Sequence, residues 1–240
     1  MTAAASGFVP ALAYDALTPL YDLLIAVTMR ERAFKERLAR QANLAPGARV
    51  LDLGCGTGTL ALMLAAAEPR AQIVGLDADP RILAIARAKA DRAGATVEWT
   101  LGSASAPPFA PASFDRVTSS LMLHHLTTDE KAAALGAVRT LLRPGGELHV
   151  ADFGRPHTAY TRLAAAAFRY FDGAERTGDN LDGRLPALIT AAGFTDAAET
   201  EQWTTAFGTL TFLRARVPHA AAEPPASAIK QRAPGARSPR

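Results

Sequence analysis

Cysteine is almost absent: the 240-residue chain has one, Cys55. A single thiol forms no intramolecular disulfide and no cysteine metal cluster, and its scarcity agrees with a reducing, cytoplasmic compartment. Long apolar runs are missing too. The strongest stretches, Leu23 to Met29 and Leu60 to Ala67, stop far short of the roughly 18 residues of a bilayer-crossing helix, so no membrane span is expected. The start of the chain lacks a basic stretch followed by an apolar run, and Pro10, Asp15, Pro19 and Asp22 interrupt it, so no secretory signal is expected. The body of the chain also lacks excess positive charge. Beyond residue 216, Lys230, Arg232, Arg237 and Arg240 face only Glu223, so the whole formal charge of +3 sits in residues 217–240. That basic tail, rich in Pro and Ala, is expected to be disordered over residues 218–240. A neutral body without aromatic-basic interleaving argues against a nucleic-acid partner. What is present, 49% hydrophobic and 20% charged residues, excludes collagen, coiled coil and wholesale disorder and fits a soluble α/β domain.

Strand and helix patterns alternate at the spacing of parallel βαβ units. Expected strands cover residues 49–53, 72–76, 96–101, 115–120 and 147–152, with helices over residues 57–67, 80–93 and 128–142 between them. Asp79 is placed to cap the second of these helices, with Pro80 at its first position, and Thr128 or Asp129 to cap the third. Pro144-Gly145-Gly146 is expected to end that third helix. A helix over residues 185–192 and two antiparallel strands, 197–205 and 209–217, close the pattern. The main body thus runs over residues 44–217, preceded by a helical segment, residues 1–43, and interrupted at 155–183 by more chain than a connection needs. Both extra segments are candidate lids over the carboxyl ends of the strands, where open α/β sheets bind ligands.

The most informative run is VLDLGCGTGTL at residues 50–60: a hydrophobic strand, an acid at Asp52, then Gly54, Gly56 and Gly58 opening a helix. Glycine lets the backbone turn sharply and lie against a ligand. The spacing is GxGxG after an acid, not the GxGxxG that seats a pyrophosphate. An acid there suits a cationic ligand such as S-adenosylmethionine (SAM), which has an ammonium, a sulfonium and no phosphate. Asp77 follows Gly58 by nineteen positions at the end of the second strand, where a carboxylate can accept from both ribose hydroxyls. Together with LDAD at 76–79, SFD at 113–115 and LRPGGEL at 142–148, these motifs make residues 8–217 resemble class I SAM-dependent methyltransferases. The resemblance is to small-molecule enzymes similar to the ubiquinone/menaquinone biosynthesis C-methyltransferases. It implies a seven-stranded, Rossmann-like α/β sheet, mostly parallel with an antiparallel hairpin at the end and helices on both faces.

The resemblance also implies roles. Asp52 and the Gly54, Gly56 and Gly58 backbone would hold the methionine end of SAM, with Thr57 nearby; Asp77 would hold the ribose and Ala78 border the adenine. Gly102-Ser103-Ala104 replaces the GDA of many relatives, so Ser103 and Ala104 would meet the adenine without a carboxylate. Tyr21 of the Tyr21-Asp22 pair matches a tyrosine near the cofactor carboxylate, and Ser119 belongs with the cofactor set.

Methyl transfer from a sulfonium is an in-line displacement in which the enzyme chiefly aligns the nucleophile and excludes water. A base is needed only where the acceptor must lose a proton. Candidates follow the fourth and fifth strands: His124, His125, Asp152 and His157. Adjacent histidines point different ways, so one of His124 and His125 is the candidate base, unless the pair only packs and caps the next helix. Asp152 is a candidate orienting or substrate group. No metal is expected, since two histidines without a carboxylate between them are a poor ligand set. Arg169, Tyr170, Phe171, Arg176 and Asn180 lie in the insert, and Tyr170 and Phe171 suit an apolar substrate wall as well as they suit core packing. Ser-Ser-Leu-Met follows the fourth strand, where amino-methyltransferases of DNA bases or glutamine carry an Asn/Asp-Pro-Pro-Tyr/Phe run. The expectation is a SAM-dependent methyltransferase for a small molecule with an apolar or soft nucleophile: a quinone-like carbon, a thiol or a secondary metabolite. A SAM-binding module without catalysis and an NAD-dependent oxidoreductase are the alternatives.

Overall fold

The computed structural model describes residues 31–219. The expected helices before residue 31, with Tyr21, and the basic tail lie outside the described residues. Helix α1 (Glu31–Ala42) leads into β1 (Arg49–Leu53), α2 (Thr59–Ala67), β2 (Gln72–Asp77), α3 (Pro80–Ala93), β3 (Glu98–Leu101) and β4 (Phe114–Ser120). A one-turn 3-10 helix (Leu123–His125) and α4 (Thr128–Leu141) precede β5 (Leu142–Phe153). The insert then forms α5 (Ala159–Asp172) and α6 (Ala174–Leu181), followed by α7 (Leu185–Ala191) and the hairpin β6 (Thr195–Thr205) and β7 (Gly208–Arg216). The sheet order is β3-β2-β1-β4-β5-β7-β6. β1 to β5 pair in parallel, and β7 runs antiparallel to both β5 and β6. The seven-stranded sheet and its closing hairpin are those expected.

Alternation along each strand sorts the core into two layers. Leu51, Leu53, Val117 and Val150 face Leu135 and Val138 of α4 and Leu185 and Ile189 of α7. Val50, Ile73, Ala151 and Phe212 face Phe34 and Leu38 of α1 and Leu60 and Leu64 of α2. Each such fully buried side chain stabilises the fold by about 1.5–3 kcal/mol relative to leaving it in water. The chain turns back at β1, which has β2 on one side and β4 on the other, and this reversal opens a crevice at the carboxyl ends of β1 and β4.

Two local expectations are corrected. The cap of α4 is Thr127, not Thr128 or Asp129: its hydroxyl accepts from the Glu130 amide and the Glu130 carboxylate accepts from its own amide, a reciprocal capping box. Pro144-Gly145-Gly146 does not separate helix from strand. β5 starts at Leu142, opposite Phe114, and Gly145 and Gly146 exchange hydrogen bonds with Val217 at 3.0 and 2.9 Å, so pairing carries the strand through the glycines.

The insert closes a third cluster in which Phe153, Ala165 and Leu181 pack with Leu121, Phe168 and Phe207. Lys131 of α4 and Asp179 of α6 meet at 3.3 Å with no exposure to water, and Asp179 also takes the Thr128 hydroxyl at 2.7 Å and Arg184 at 3.1 Å. Removing two charges from water offsets much of their attraction, so the contact's main effect is to set where α6 sits against α4.

Candidate active site

β1 ends in the glycine turn, and the Gly54 and Cys55 amides both donate to the Leu76 carbonyl, at 2.8 and 2.9 Å. The three glycines meet different demands. A Cβ on Gly54 would lie 2.4 Å from Met122 Cγ, and one on Gly58 2.5 Å from the Trp99 ring. Gly56, at φ +54°, has nothing within 4 Å of its missing side chain, so the backbone is left bare beside open space. Asp77 is half-buried at the end of β2 and accepts from the Gly56 amide at 2.8 Å and from the Asp79 amide at 3.0 Å. It therefore braces the turn while keeping lone pairs free for further donors. Ala78 beside it is exposed. Thr57 and Thr59 both lie near the Lys89 ammonium, the second at 2.6 Å.

Asp52 sits beneath this turn, 0% exposed, on the strand face that meets α1 and α2. One oxygen accepts from the Thr118 hydroxyl at 3.2 Å, and Oδ2 has no partner among the described residues. Burial pushes its pKa up to about 7, against the pull of Lys35 and the Thr118 hydroxyl. Lys35 is itself tied to Glu31 at 2.6 Å. A buried carboxylate oxygen without a donor costs free energy that a ligand ammonium would recover.

The second half of the site forms where β4 and β5 end. Leu121 has φ +52°, a left-handed conformation strained for a branched side chain, and it bends the chain from β4 into the 3-10 turn. That turn directs His124 inward: Nδ1 lies 2.7 Å from Asp152 Oδ1. Asp152, fully buried, also accepts from the Leu123 and Phe153 amides at 2.8 and 2.7 Å. Burial alone would raise its carboxyl; His124 and the Phe153 amide bring it below the usual range. His124 is 5% exposed and packs against Phe153 and Phe168, ring centroids 5.0 and 5.6 Å away. His125 is exposed, makes no hydrogen bond to Asp152, and is held below the usual histidine range, at about 4, by partial burial of its ring and by His124.

The other expected residues fall outside this pair. Ser103 is exposed and shares a hydrogen bond with the Ser105 hydroxyl at 2.9 Å, while Ala104 beside it is half-buried. Ser119 is buried in β4 with its hydroxyl unpartnered among the described residues. His157 is held between the hydroxyls of Thr209 and Thr204, at 2.9 and 3.1 Å, and serves the hairpin. Among the described residues no group of three or more His, Cys, Asp or Glu side chains is placed to hold a metal. Sequence reasoning missed Thr118, Lys35, Met122, Trp99 and Phe168. Only Thr118 left a trace, since strand alternation puts it on the same face as its neighbour Asp52.

Comparison with known proteins shows the family. Residues 50–146 match the methyltransferase domain family. The chain is 30% identical over 201 residues to the ubiquinone/menaquinone biosynthesis C-methyltransferase UbiE of Rubrivivax gelatinosus, an overlap covering 75% of this chain and 77% of that one. The chain belongs to the SAM-dependent methyltransferases. It is also 39% identical over 143 residues to a demethylmenaquinone methyltransferase of Thermus thermophilus, covering 60% of this chain and spanning 62% of that protein. The YcgJ protein of Bacillus subtilis has the same fold, with a TM-score of 0.66 at 18% identity over 78% of this chain and 100% of that one. The cofactor of this methyltransferase is SAM, and the site fits it: an orphaned acid oxygen under the turn, bare backbone at Gly56 and an aspartate at the end of β2.

Proposed function

We propose that the chain transfers the methyl group of SAM to a ring carbon of a small, apolar, quinol-like acceptor, with His124 as the base. When bound, SAM supplies a methyl group already activated on a sulfonium. Asp52 and the Gly54–Gly58 backbone hold its methionine end, Asp77 the ribose, and Ala78, Ser103 and Ala104 border the adenine. The Asp152–His124 contact of 2.7 Å carries the reading. A carboxylate on Nδ1 keeps the proton there, which leaves Nε2 as the proton acceptor; Nε2 has no hydrogen-bond partner among the described residues. A ring hydroxyl would give its proton to Nε2, which raises electron density at the neighbouring carbon; that carbon would bond to the methyl group as the methyl–sulfur bond breaks and S-adenosylhomocysteine is left. The proton on that carbon would then pass to solvent and Nε2 would return its own proton to the ring oxygen, restoring the aromatic hydroxyl with one proton released overall. Phe153 and Phe168 exclude water and favour an apolar ring. The names of two relatives support a quinone-type acceptor.

Mass-spectrometric turnover with SAM and reduced naphthoquinols tests the assignment. His124→Ala should lower turnover by about a hundredfold or more with SAM affinity kept, and His125→Ala by much less. Equal activity in both variants and wild type would leave no role for a base, and no methylated product from any quinol would overturn the acceptor class.

A further inference from the structure

Three of the five large hydrophobic side chains exposed among the described residues lie on one helix, α5: Tyr160, Leu163 and Tyr170, at 52, 73 and 83%. With exposed Ala167 they fall at spacings of three, four and three, which puts them on a single face of the helix. The opposite side of α5 is committed to the protein: Thr161 and Ala165 are buried, and Phe168 packs against Phe153 and His124. Along one edge of the exposed stripe stand Arg162 and Arg169, over a shallow groove floored by Ala165 and Leu181. Arg169 shares Asp182, whereas Arg162 forms no ion pair among the described residues.

An apolar stripe bounded by tyrosines and flanked by arginines is the pattern of a helix lying in a lipid interface. Leu163, Ala167 and the Tyr170 ring would enter the acyl boundary, Tyr160, whose hydroxyl donates to the Ala206 carbonyl, would stay at its edge, and the long basic side chains would reach the headgroups. The charge favours an anionic headgroup. We infer that the outer face of α5 docks the protein on an anionic lipid surface. The inference uses the proposed apolar acceptor only to give docking a purpose: such a molecule concentrates in lipid, and one helix diameter, about 10 Å, separates the docked face from the side that touches His124.

Co-sedimentation of the full chain with vesicles reads docking without reading methylation. Wild type should sediment with phosphatidylglycerol-containing vesicles, much less with pure phosphatidylcholine, and less again at about 0.5 M salt. Leu163→Glu should cut the sedimented fraction by at least about fivefold, while turnover of a water-soluble quinol stays at the wild-type level. Arg162→Glu should act in the same direction. Wild type remaining in the supernatant with anionic vesicles would overturn the inference, and so would undiminished sedimentation of Leu163→Glu. If Leu163→Cys instead cross-linked to residues 1–30 or to a second copy while wild type ignored vesicles, the stripe would be a protein contact and the inference wrong. The sedimentation and cross-linking results do not depend on whether the quinol is methylated.

Discussion

Asp52→Asn should make the protein more stable and less able to bind its cofactor. In the folded chain the Asp52 carboxyl is raised from 3.8 to about 7 by burial, so the folded state holds a proton that the unfolded chain releases between those values. Stability therefore falls as pH rises through the window from about 4 to about 7 and stays low above it. At about 1.4 kcal/mol per pKa unit, the ionised side chain costs on the order of 4 kcal/mol at pH 8. Asparagine keeps the shape and the bond with Thr118 but leaves its amide hydrogens buried without an acceptor, a penalty of about 1–3 kcal/mol. The net gain at pH 8 is about 1–3 kcal/mol, or roughly 2–10 °C in Tm for a chain this long. Chemical denaturation of both proteins at pH 5 and pH 8, paired with calorimetric titration of SAM, measures it. The difference between variant and wild type should grow from pH 5 to pH 8, while SAM affinity drops about tenfold or more because an ammonium loses its charged partner. A variant less stable than wild type at pH 8 would refute the reasoning, since it would mean that Asp52 is ionised and well paired in the cofactor-free fold.

Other perturbations separate the site from its scaffold. Gly56→Ala should cost only about 1–2 kcal/mol, for the left-handed backbone, yet abolish SAM binding by filling the open space; Gly58→Ala should cost about 3 kcal/mol or more because its Cβ strikes Trp99. Urea unfolding beside calorimetry distinguishes the two. Asp77→Ala should weaken SAM binding by about 1–3 kcal/mol and also loosen the turn at Gly56, visible as faster amide exchange there. Lys131→Met should destabilise the fold by about 3 kcal/mol, since Asp179 keeps only Arg184 as a cation, and denaturant titration checks it.

Much of the fold could be read in the chain because local signals agreed with tertiary ones. Strands β1 and β2 are short apolar runs between breakers, and α3 begins and ends as expected because Asp79 caps it and Gly94 follows at φ +62°. The start of β5 could not be read locally, because what extends it is pairing with Phe114 and Val217, distant in sequence. The α4 cap was there to be read: Thr127 stands three residues before Glu130, whereas Thr128 and Asp129 have no such acid. In the candidate site, the acid, the glycines and Asp77 stand out in the sequence by their spacing, while the roles proposed for them rest on the family resemblance. The choice between His124 and His125 was not, since a left-handed Leu121 and a single 3-10 turn decide which imidazole meets Asp152. The partners of Asp52 escaped for a similar reason: Lys35 and Thr118 arrive from separate elements.

Asp152 sits in a strand flanked by neighbours on both sides, β4 and β7, whereas Phe168, the ring against His124, belongs to an insert that attaches to the sheet mainly through its own small cluster. Under the proposed mechanism, proton handling and acceptor choice are thus housed in separate modules. New acceptors could be recruited by rewriting α5 and α6 while the reacting machinery is left intact, a division that suits laboratory evolution aimed at the insert alone.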